Sequence, residues 1–133
     1  SIMQNIKRKM KHESAIIKKR YSVEGMLSII KCFDMCIGMR LHTLIYAAIN
    51  SVPLIGLVYD PKINSFMEYT HQRHYVDVNE VTDENLKKML DECVANYDTI
   101  KQDLKENYSH LKEKAKLNGK YAIELYEKGS VTL

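Results

Sequence analysis

Apolar positions along the chain switch between two periods, and the switches divide it into elements. Residues 2 to 11, "IMQNIKRKMK", set Ile2, Met3, Ile6 and Met10 on one helical face with cations opposite. Ala15 to Lys18 form a short β-branched run, which predicts a strand. Ser22 is a suitable N-cap for a helix whose inner face carries Met26, Leu27, Ile30 and Phe33. Met35 to Met39 are continuously apolar, as in a strand covered on both faces. Arg40 to Asn50 return to helical spacing through Leu41, Leu44, Ile45 and Ala48. "VPLIGLVY" is the strongest strand signal, with Pro53 near its start where a missing N–H is tolerated, and "YVDV" at 75 to 78 is a further strand.

Strands separated by helical stretches imply βαβ units with right-handed crossovers. The pattern therefore predicts an α/β fold of about four parallel strands, doubly wound, over residues 12 to 81. From Thr82 the character changes. Thr82, Asp83 and Glu84 make a sound helix start. A seam then runs through Leu86, Leu90, Cys93, Tyr97, Ile100 and Leu104, and on through Tyr108, Leu111, Ala115, Ala122 and Leu125. Asn118 and Gly119 are its expected weak point. The seam fits two helices packed on the sheet, or one long helix reaching another domain or subunit. The division expected is an α/β core at 1–81 and C-terminal helices at 82–133.

Composition narrows this picture only a little. At 133 residues and 15.5 kDa, with 45% hydrophobic content, the chain can bury a globular core. A net charge of +3 is too small for a nucleic-acid footprint, and its nine Tyr are not interleaved with basic residues. Cys32, Cys36 and Cys93 lack metal or disulfide spacing, which predicts no metal site and a reducing, cytoplasmic setting, with Cys32 and Cys36 as small core residues. No apolar run is long enough to span a bilayer. The chain begins without a Met, in what looks like mid-helix, and is expected to be a fragment.

Two strand-to-helix junctions carry the candidate chemistry. Ligands of open parallel sheets sit outside the carboxyl ends of the strands, near the starts of the following helices. "CIGMRLHTLI" is one such junction: Gly38 lets the backbone turn closely, and Arg40 and His42 fall where free N–H groups attract anions. "VYDPK" is the next, with Asp60 and Pro61 breaking the strand and Lys62 projecting from the loop. Were the two strands neighbours, Arg40, His42 and Lys62 would converge on one small anion. Plainer roles stand beside this one. Arg40 would equally pair with Asp34 or Asp60, His42 would serve as a structural histidine, and Lys62 as a solvated lysine. His71, Arg73 and His74 fit a surface loop, and Glu24 a local cap or pair.

"GMRLHTLIYAA" followed by "VPLIGLVYDPKINSF" resembles the polysaccharide pyruvyl transferase family, in particular its bacterial members of cell-wall polymer synthesis. The preceding "SVEGMLSIIKCFDMCI" is similar to that family's helix and acidic residue ahead of the Arg-Leu-His motif, so the likeness spans about residues 22 to 67. Where a glycine is expected near the end of "SFMEYTHQRH", the chain has His71. The resemblance implies the C-terminal lobe of a two-domain, GT-B-like (Rossmann-like) enzyme. It implies transfer of a pyruvyl group from phosphoenolpyruvate to two sugar hydroxyls, with no further cofactor. His42 and Lys62 match donor positions, His42 as ligand or acid catalyst. Arg40 matches the motif, with Gly38 and Asp60 in support. Also implied are a sugar or lipid-linked glycan acceptor, an N-terminal domain that completes the cleft, and work at the inner face of the membrane. Family members exceed twice this length, so the 133-residue chain alone is expected to be inactive. A homodimer is compatible with the seam. The rival readings are a GT-B nucleotide-sugar glycosyltransferase lobe and a non-catalytic helical interaction module.

Overall fold

A computed structural model describes residues 2–127. Nine elements follow one another: α1 (Ile2–Lys9), α2 (Val23–Ile30), β1 (Cys36–Gly38), α3 (Leu41–Ile49), β2 (Leu54–Val58), α4 (Pro61–Tyr69), β3 (Tyr75–Asp77), α5 (Asp83–Ala95) and α6 (Tyr97–Glu127). The three strands form one sheet in the order β1-β2-β3, both pairings parallel. Gly38 lies opposite Gly56, and Gly56 opposite Tyr75. This is the α/β architecture expected from the sequence, with flanking helices and a helical C-terminal segment. The described residues form three strands where about four were expected. Residues 15–18 are not a strand, and Ile17 is 45% exposed. Adjacent isoleucines among lysines have β propensity, but without a neighbouring strand to pair with that propensity decides nothing.

Local chemistry accounts for most element boundaries. The Ser22 side chain accepts from the Gly25 N–H at 3.2 Å and starts α2. In the first turn of α2 its own backbone N–H, then Ser22, hold the Glu24 carboxyl below the usual range, so Glu24 acts locally. Thr82 and Asn85 form a reciprocal capping box at α5. The α5–α6 break falls at Asn96, while α6 runs straight through Asn118 and Gly119. The glycine costs helix stability but meets no obstacle, since nothing lies within 4 Å of where its Cβ would be.

The core lies between the sheet and its helices. Leu44, Ala47, Ile55, Met67 and Cys93 are 0% exposed, and Ile30, Leu54, Ile63 and Leu104 are nearly so. Both crossovers step the same way along the sheet, and right-handed crossovers then put α3 and α4 on one face. Contact between α3 and α4 agrees with this. Helix α6 docks on α3, with Ile100 and Leu104 buried and the Asn107 amide donating to the Thr70 carbonyl at 2.9 Å. Beyond Leu111 its apolar residues are open to solvent, Leu125 at 54%. The α1 face is uncovered too: Ile2, Met3, Ile6 and Met10 are all more than half exposed. Cys36 and Cys93 are buried, and burial pushes both thiols above the ordinary range, for Cys93 with help from the Glu92 charge. Cys32 is exposed, contrary to the expectation of a core residue, because it falls past the end of α2.

Candidate functional site

The two junctions are built alike. Gly38 ends β1, Arg40 caps α3 without a side-chain hydrogen bond, and His42 is the second residue of α3. Val58 ends β2, Asp60 caps α4, and Lys62 is its second residue. His42 and Lys62 therefore each stand four residues beyond the last residue of their strand. Because β1 and β2 are adjacent and parallel, both helix starts open on the same sheet edge. The register adds a stagger. Gly38 faces Gly56, so Val58 lies two residues further out, roughly 6–7 Å at the usual strand rise.

Lys62 departs from the loop position expected of it, since it belongs to the first turn of α4. The cause is Asp60. Its Oδ1 accepts the Lys62 N–H at 2.8 Å, and Pro61 supplies a pre-set φ at the first helical position, so the helix begins one residue after the aspartate. Gly38 also works differently from the turn residue expected. A Cβ there would stand 2.6 Å from Leu44 Cδ2 and 3.0 Å from its Cγ. The glycine lets α3 lie close against β1 and so fixes where Arg40 and His42 emerge.

Arg40, His42 and Lys62 are exposed and, among the described residues, hold no charge partner. Among the described residues Arg40 makes no ion pair, so neither Asp34 nor Asp60 ties it down. Lys62 likewise has no carboxylate within salt-bridge distance. The His42 ring lies 6.4 Å from that of Tyr46, tilted by 59°. Positive side chains at a helix N-terminus oppose the helix dipole by about 0.3–1 kcal/mol each. The backbone N–H groups of both first turns add to the positive potential, so this edge suits a small anion.

His71, Arg73 and His74 lie elsewhere, in the turn that leads into β3 at its amino end. His74 Nε2 stands 3.5 Å from Glu92 Oε2, which links this turn to α5. His71 takes φ 55°, a left-handed value at the position where a glycine was expected. The sequence reading missed a hollow on the outer side of the second junction, lined by Tyr59, Asp60, Asn64, Tyr75, Asp77 and Glu80 among others. The four-residue step from Asp60 to Asn64 was the available signal, but the partners across β3 become neighbours only through sheet pairing.

Among the described residues no group of three or more His, Cys, Asp or Glu is placed to hold a metal ion. No helix of the described residues is long and apolar enough to cross a membrane. Residues 2–61 match the family model described as polysaccharide pyruvyl transferase. Gly38, Arg40, His42 and Asp60 lie inside the match, and Lys62 one residue past its end. No curated protein and no solved structure matches the chain.

Proposed function

We propose, from the match of residues 2–61 to the polysaccharide pyruvyl transferase family model, that the paired helix starts bind phosphoenolpyruvate for transfer of its pyruvyl group to a sugar. The observation that carries this reading is the equivalence of the two junctions. His42 and Lys62 occupy the same position on adjacent helices at one sheet edge, both exposed and without a charge partner. Phosphoenolpyruvate carries a phosphate and a carboxylate, and two staggered cation-bearing helix starts suit two anionic groups on one small molecule.

The reaction sets each residue a task. The enol carbon takes a proton, the adjacent carbon becomes electron-poor, and two sugar hydroxyl oxygens add to it in turn as each loses its proton. Phosphate leaves with the electrons of its C–O bond, and a cyclic ketal remains. Lys62 offsets charge on the departing phosphate. His42 binds the donor or delivers the proton to the enol carbon. Arg40, one step before the first turn of α3, supports the carboxylate end. Asp60 works indirectly, by fixing the first turn of α4. The GT-B-like arrangement, with a second lobe closing the site at the inner face of the cell membrane, belongs to this same proposal.

Calorimetric titration with phosphoenolpyruvate tests the reading. Wild-type protein should bind, and His42→Ala and Lys62→Ala should each weaken binding about tenfold or more, roughly 1.4 kcal/mol. Equal affinity in all three proteins removes the donor site. Binding of a UDP-sugar in place of phosphoenolpyruvate would assign the same edge to a nucleotide-sugar transferase.

A further inference from the structure

The hollow beside the second junction has a chemistry unlike that of the cation edge. It is an open depression of about 610 Å³ at the carboxyl ends of β2 and β3, within the size range of small-molecule sites. Tyr59 and Tyr75 line it together with the Asn64 amide and the carboxylates of Asp60, Asp77 and Glu80. No Lys, Arg or His lines it. Phosphate groups and nucleotides are therefore disfavoured there, since their charge would meet carboxylates and no cation. The described residues offer no cluster placed to hold a metal, so the carboxylates are not a cation cage.

What remains is a neutral ligand with many hydroxyl groups. Carboxylates and an amide oxygen accept hydrogen bonds from hydroxyls, and an aromatic ring offers an apolar surface to the C–H face of a pyranose. Tyr59 is half exposed, so a ligand can reach it without rearrangement of the core. Asp60 joins the two regions. It lines the hollow while its Oδ1 caps the helix that carries Lys62. We propose that this hollow is a subsite for the acceptor saccharide, one strand along the sheet edge from the donor cations. The assignment rests on the pyruvyl-transfer reading above and adds to it a division of the edge by charge: anionic donor on the β1–β2 side, neutral sugar ring on the β2–β3 side.

Saturation-transfer NMR with the methyl glycosides of glucose, galactose and mannose, each at millimolar concentration, tests it. Tyr59→Ala and Glu80→Gln are the informative variants, because both residues are exposed. Tyr75 packs against Gly56, and Asp77 accepts from the Asn79 N–H, so changes there would disturb the fold. The expected result is signal transfer to at least one glycoside, weakened about tenfold or more in both variants, with thermal unfolding and phosphoenolpyruvate affinity unchanged. Absence of transfer from all three glycosides overturns the subsite even where phosphoenolpyruvate binds. Equal transfer in the variants, or displacement of the glycoside by inorganic phosphate, also overturns it. Glycoside binding with no phosphoenolpyruvate binding sinks the donor reading alone and leaves the hollow a sugar site.

Discussion

Gly38 shows how a residue with no reactive group sets the position of those that have one. Its pro-side-chain direction points into Leu44, 2.6 Å from Cδ2, and Leu44 is fully buried with no space to retreat. A methyl group there must either push α3 off β1 or force Leu44 from its rotamer, and overpacking of this kind costs about 1–3 kcal/mol. Gly38→Ala is expected to lower the unfolding free energy by that amount in denaturant titration. An α3 pushed away in this manner carries Arg40 and His42 with it, so on the proposed reading affinity for phosphoenolpyruvate should fall in the same variant while Cys36 stays buried. An unchanged midpoint would overturn this account of the strand–helix contact. Gly119 is the contrasting case: a Cβ there meets nothing, so Gly119→Ala should stabilise α6 by roughly the helix-propensity difference alone.

Elements were legible in the sequence mainly where their signal was local. The caps Ser22 and Thr82 depend on side chains reaching three residues along, and both are made; Asp60 caps α4 by the same local means, but beside Pro61 it read only as the end of a strand. The strands at 36–38, 54–58 and 75–77 were visible as apolar runs between turn residues. The run at 15–18 looked no different, and it failed because pairing depends on distant residues. For the same reason the order and register of the sheet, and with them the β2–β3 hollow, lay beyond the pattern. The long seam divides at a similar boundary. Up to Leu104 it is spent on the protein's own core, whereas Ala115, Ala122 and Leu125 face solvent. Leu104→Glu should therefore cost several kcal/mol of stability, by burying an unpaired charge against α3, and Leu125→Glu less than about 0.5 kcal/mol. Chemical denaturation of the two variants measures both. Similar losses would show that the outer part of α6 is covered in solution, as the interaction-module reading requires.

Parallel sheets are normally covered on both faces, and at the scale of the whole molecule this one is covered unevenly. Cys36 and Gly38 point toward α3 and are buried, while Ile37 between them points the other way and is 46% exposed. One strand along, Ile55 is fully buried, and β2 touches α5. The cover thus stops at β2. Phe33 and Met39, at 41% and 46% exposure, and the apolar face of α1 add further uncovered side chains. An apolar surface of this kind binds hydrophobic dyes such as anilinonaphthalenesulfonate, whether or not the core is fully packed. The folded chain is therefore expected to raise the dye's fluorescence while still unfolding in one sharp thermal transition, which separates it from a molten state. Ile37→Thr keeps a β-branched side chain and removes apolar surface, so it should lower the dye signal at a stability cost below about 1 kcal/mol. A dye signal indifferent to that change would place the open surface elsewhere, with α1 the next face to alter through Met3→Lys and Ile6→Lys.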